Sequence, residues 1–115
     1  MMFRLATALA ATAVLACTPA GIALGGPPPA DDEAMIDLAW DSGCFNCHDI
    51  HEGFRGPAWV DVAERYRDDD EAFEQLVDTV INGGRGNWGD EAMSPNRRVP
   101  EEDVRALVEW LLTLE

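Results

Sequence analysis

Two cysteines three positions apart with a histidine directly after the second, CFNCH at Cys44–His48, constrain this chain more than any other feature. They fall near the start of a short stretch, Asp31 to Glu115, that has the composition of one folded domain. A domain this small buries only about two-thirds of the surface its unfolded chain exposes, so it needs a staple or a bound group to complete its core. Beyond Cys17, Cys44 and Cys47 are the cysteines available. A disulfide between them would close too short a ring to stabilise much, because the entropic gain grows with loop length.

Three chemistries compete for C-x-x-C-H. A structural zinc site takes four ligands, commonly as two separated pairs, and here Cys44, Cys47, His48 and His51 crowd one segment without a second arm. A redox dithiol belongs at the start of a helix in a strand–helix–strand context, and no such strands can be read in this sequence. Covalent haem is the third: both thiols add to porphyrin vinyl groups and the next residue, His48, comes under the iron. Thiols three apart on a helical turn share one side and reach neighbouring vinyls. This reading gives the small domain its core, and gives the irregular, glycine-rich stretch Asn82–Val99 a surface to lie against.

An iron so held has a second face. His51 is only three residues from His48 and would have to cross the porphyrin plane, so it reads as a solvent-facing loop residue. Met35 lies just before the attachment site and reads as packing. Met93, within GDEAMSPN, is free to approach from the far side.

The first thirty residues differ from the rest. Met1–Arg4 is a short basic start, Leu5–Ala16 an apolar run, and glycines and prolines follow, which is the layout of an export signal over 1–25 with a linker at 26–30. The run is too short and alanine-rich for a membrane span, which needs about 20 strongly apolar residues. Either a small-x-small site ends the leader and discards Cys17, or VLAC at Val14–Cys17 is a lipobox and Cys17 carries the lipid. An uncleaved anchor is a third possibility, and all three put the domain 31–115 outside the cytoplasm.

Within that domain the pattern is all-α, four to five short helices. Asp31 or Asp32 caps a first helix with Ile36, Ala39, Trp40 and Gly43 on one face. AWVDVAERY makes a second. Phe73, Leu76, Val77, Val80 and Ile81 follow the spacing of an amphipathic third, which Gly83 and Gly84 stop. Pro100 and the acids Glu101–Asp103 open the last, whose stripe is Val104, Leu107, Val108, Leu111 and Leu112. Net charge is −14 and lysine is absent. Such acidity argues against nucleic acid as partner. It fits steering by a basic partner, or equally the acidic surface of a protein from a salt-rich habitat.

CFNCH, RGPAW, INGGRGNWG, AMSPN and ALVEWLL, in this order, make the stretch Asp31–Leu114 resemble a bacterial class I c-type cytochrome of the short cytochrome c-551 type. The resemblance implies one haem c on Cys44 and Cys47, with His48 and Met93 as axial ligands. It implies that the carbonyl of Pro57 accepts a hydrogen bond from the histidine, that Asn96 donates toward the methionine sulfur, and that the Trp88 indole reaches a propionate. Arg85, Arg97 and Arg98 are propionate candidates, and Trp40 and Trp110 pack where the first and last helices cross. Two departures stand out: Ala92 and Ser94 flank Met93 where relatives often have proline, and the lysines that commonly ring the haem edge are missing.

The function so implied is one-electron transfer between periplasmic or membrane redox partners, by a monomer without catalytic residues, at a membrane only through a lipidated Cys17. The alternatives are a haem enzyme or gas sensor in which Met93 dissociates, and an electron-transfer subunit of a larger complex.

Overall fold

The computed structural model describes residues 31–115; the leader, the linker and Cys17 lie outside them. Helix α1 spans Asp32–Asp41, and the carboxylate of Asp31 caps it by accepting the Glu33 backbone N–H at 3.1 Å. Helix α2 covers Trp59–Tyr66, α3 Ala72–Asn82 and α4 Glu101–Leu111. Four helices with little else bear out the all-α expectation, and the boundaries follow the caps and breakers of the sequence. Gly83, at φ +78°, ends α3, and Glu101, Glu102 and Asp103 face the positive end of α4.

Helix α4 is the central element because both parts of the core use it. One part gathers Ala39 of α1, Trp59 and Val62 of α2, and Leu107, Trp110 and Leu111 of α4. The other sets Val77 of α3 against Val104 and Val108. Each fully buried aliphatic side chain of this kind contributes roughly 1.5–3 kcal/mol. The exposed ion pairs of Arg105 with Glu74 and Glu101 add less, since water screens them. The indole N–H of Trp110 donates to Asp32 Oδ1 at 2.8 Å, so the first turn of the domain is tied to its last helix.

Two expectations change. Trp40 does not pack between the first and last helices: it is 63% exposed, while Ala39 is fully buried. Successive helical residues are rotated by about 100°, so with Ala39 against α4 its neighbour falls at the edge of the interface and covers Phe45 instead, ring centroids 4.8 Å apart. The stretch 82–99 is not irregular throughout. Its first half is an antiparallel hairpin, β1 Gly84–Gly86 and β2 Gly89–Met93, with Gly84 opposite Met93 and Gly86 opposite Gly89.

Candidate functional site

The attachment segment is a turn set on the end of α1. Cys44–Asn46 forms a single 3-10 turn, and the backbone N–H groups of Cys47 and His48 both donate to the Cys44 carbonyl, at 3.2 and 3.0 Å. This winds the two thiols onto one short helical arc. Cys44 is half-buried and Cys47 exposed, and no disulfide joins them. Before attachment of any group, burial raises the Cys44 thiol pKa above its usual value, partly offset by a hydrogen bond from its own backbone.

His48 is held on three sides. Its Nδ1 lies 2.9 Å from the Pro57 carbonyl oxygen. A carbonyl only accepts, so Nδ1 carries the proton and Nε2 keeps its lone pair for a ligand. Gly56 lies directly against the ring: a Cβ there would sit 2.7 Å from Nδ1 and 2.9 Å from Nε2. Trp59, buried at the start of α2, stands with its ring centroid 5.8 Å from that of His48. The loop between is closed onto itself, with Gly56 N–H donating to Cys47 O at 2.7 Å, Trp59 N–H to Asp49 O and Val60 N–H to Ile50 O, both at 3.0 Å.

Trp59 is the functional residue that sequence reasoning missed. It links Phe45 of the C-x-x-C turn (5.2 Å), His48 and Trp110 of α4 (5.8 Å, edge to face) in one aromatic stack. Its signal was its place two residues after Pro57, whose carbonyl supports the histidine.

Met93 ends β2. Its backbone is pinned by Gly83, where a Cβ would lie 2.6 Å from the Met93 carbonyl. Asn96 follows, and its backbone N–H donates to the carbonyls of Val80 and Ile81 at 3.0 and 3.2 Å. Its side-chain amide donates to Val80 O and Ser94 O, both at 3.1 Å. Asn96 thus fastens the methionine loop to the end of α3, a different use of its two amide hydrogens from a bond to the sulfur. Trp88, at the hairpin tip, is 40% exposed and stands edge to face with Tyr66, centroids 6.2 Å apart.

All seven expected residues line one cavity of about 410 Å³: Cys44, Cys47, His48 and Pro57 from the histidine side, and Trp88, Met93 and Asn96 from the methionine side. Its inner wall is apolar, from Leu76 and Val80 of α3 and Leu107 and Leu111 of α4. The charged groups on it are Arg55, Arg85 and Glu91. Arg97 and Arg98 instead border a separate depression with Ser42 and Val99, so they are not placed as propionate partners.

The donor set fits a covalently attached haem: two thiols on one turn, an imidazole with a free lone pair, a thioether in the same cavity, and apolar walls for the macrocycle. Among the described residues no three His, Cys, Asp or Glu side chains are arranged to hold a metal ion by themselves, so the zinc reading has no ligand set. None of the described helices is long and apolar enough to cross a membrane.

Comparison with known proteins agrees in kind. A family profile described as Cytochrome c matches residues 36–115. Cytochrome c-551 of Allochromatium vinosum is 49% identical over 81 residues, 70% of this chain and 86% of that protein. Cytochrome c-552 of Nitrosomonas europaea is 39% identical over 83 residues, 72% of this chain and 81% of that one. The crystal structure of the wild-type Nitrosomonas protein superposes with a TM-score of 0.67 at 39% identity, covering 70% of this chain and 99% of the other.

Proposed function

The chain belongs to the cytochrome c family and carries one covalently attached haem c, and we propose that it is a one-electron carrier with His48 and Met93 as axial ligands. The observation that carries this reading is that His48, Met93, Cys44 and Cys47 line a single apolar-walled cavity. When bound, the haem iron exchanges one electron between its ferrous and ferric forms.

The polypeptide has the remaining tasks. Cys44 and Cys47 hold the group through thioether bonds. Pro57 fixes the His48 tautomer, and the contact of Gly56 with the ring keeps the imidazole from turning. The soft sulfur of Met93 favours the ferrous state and raises the potential. The Trp88 indole N–H, which makes no hydrogen bond among the described residues, is available to a propionate. With His48 and Met93 both holding the iron, the bound group would keep no position open for a substrate, which supports electron transfer over catalysis.

The leader delivers the domain to the periplasm, where residues 18–30 tether it if Cys17 is lipidated and the linker 26–30 precedes it if the leader is cleaved. The partners are redox proteins. The excess of acid steers basic ones, so electron transfer slows as ionic strength rises; a flat or rising rate argues against a basic docking surface.

The decisive experiment is mass spectrometry and visible spectroscopy of protein matured in its own host. The expected results are the mass of one haem on residues 44–47 and a far-red iron–sulfur band in the ferric protein. Met93→Ala abolishes that band and lowers the potential by a measurable part of the roughly 0.8 V that axial ligands span. A band that survives the substitution removes Met93 as a ligand.

A further inference from the structure

Residues 84–92 of the hairpin are all exposed, so apolar burial does little to orient it. Among the hydrogen bonds of the described residues, one joins this stretch to the rest of the protein: Arg65 Nη1 donates to Asn87 O at 2.7 Å. The same guanidinium is stacked twice. Its central carbon is 4.7 Å from the Trp88 ring centroid and 5.1 Å from that of Tyr66. Arg65 is therefore held between an aromatic side chain of α2 and one of the hairpin tip, while bonded to the tip backbone.

We propose that Arg65 is a positioning residue for the methionine side of the haem crevice, fastening the tip of the hairpin that ends in Met93; the proposal rests on Met93 being an iron ligand. Helix α2 begins at Trp59, which packs against His48, and bears Arg65 in its last turn. The two are roughly 9 Å apart along the helix axis. One rigid element thus references both axial ligands, the histidine by direct contact and the methionine through the arginine. The base of the hairpin is fixed separately, by Gly83 and Asn96, so Arg65 governs the swing of the tip and of the wall that Trp88, Glu91 and Ala92 give the cavity. A planar guanidinium can stack and donate together, which a lysine ammonium in the same place does less well.

The test uses the full, haem-loaded protein with Arg65→Ala, Arg65→Lys and, as control, Arg67→Ala. Arg67 lies just past the same helix but donates to Leu114 O at 2.9 Å, away from the hairpin. Two quantities are read: backbone amide exchange over residues 84–93, and the affinity of the ferric protein for added imidazole, which competes with Met93.

Arg65→Ala should speed hairpin exchange by about tenfold while α4 amides keep their protection. Imidazole affinity should rise by about tenfold, with Arg65→Lys intermediate and Arg67→Ala unchanged. Hairpin exchange within about twofold of the parent, or faster exchange with unchanged imidazole affinity, overturns the proposal. Absence of the far-red band from the parent protein would instead bring down the methionine reading, and this proposal with it.

Discussion

The two sides of the cavity are built on different terms. On the histidine side the chain from Cys44 to Val60 is closed by backbone hydrogen bonds, backed by a buried tryptophan and fitted so closely that one glycine lacks room for a methyl group. On the methionine side, an exposed hairpin of three and five residues hangs from its base and one arginine at its tip. His48 is fixed by packing, Met93 by tethers. On the proposed ligation a carrier would gain from this division: the attachment side would hold the group through both oxidation states, while the Met93 loop could be adjusted to set the potential without unsettling the core.

The largest way to break the contrast is to take packing from the histidine side. Trp59→Ala should destabilise the protein by about 3–5 kcal/mol, as for other buried large aromatics. Chemical denaturation reads this, and the far-red band of the molecules still folded should be unchanged. Loss of that band in the folded state would mean that the two sides are not separate.

A matched pair sharpens the comparison. Gly56→Ala forces a Cβ into the His48 ring, and overpacking of this kind costs about 1–3 kcal/mol. Gly83→Ala costs a similar amount, roughly 1–3 kcal/mol, because φ +78° and ψ 174° are open essentially to glycine alone. The spectra should tell them apart: the first disturbs the histidine, seen in the paramagnetically shifted proton resonances of its ring, and the second weakens the iron–sulfur band. Indistinguishable spectra would remove the basis for treating the sides as independent.

The smallest effect concerns acid. Asp49 accepts the backbone N–H groups of His51 and Glu52 at 2.8 and 3.0 Å, and these bonds, that from His51 first, lower its pKa below the ordinary 3.8. A depressed carboxyl pKa contributes stability that is present above the unfolded value and is lost as pH falls through the folded one. Asp49→Asn should therefore lower stability slightly near neutrality and flatten the acid limb below about pH 4, parent and variant converging in acid. An unchanged acid limb would show that these bonds do not order the histidine-side loop.

The histidine side was also the more legible in sequence, for the same physical reason. C-x-x-C-H is a local pattern whose chemistry follows from spacing, and the stripe of α4 follows from helical periodicity. The hairpin left no such trace: its strands are too short for alternation, and only Met93 in it is even half-buried, so its pairing is backbone-made. The tryptophans show the limit of periodicity, which put Trp40 on the apolar face and gave Trp59 no role. The structure exposes Trp40 and buries Trp59, because the angle at which α1 meets α4 decides which neighbour of Ala39 is covered. Arg65 was unreadable for a similar reason, since its partners lie 22 and 23 positions away on a loop whose path nothing local fixes.

Helix α4 supplies part of the inner wall of the cavity, and it is the last element of the domain. Synthesis from the N-terminus therefore makes Cys44, Cys47 and His48 before the wall that encloses them. Trp110 reaches back to Asp32, so that wall is set in place by a contact between the two ends of the domain.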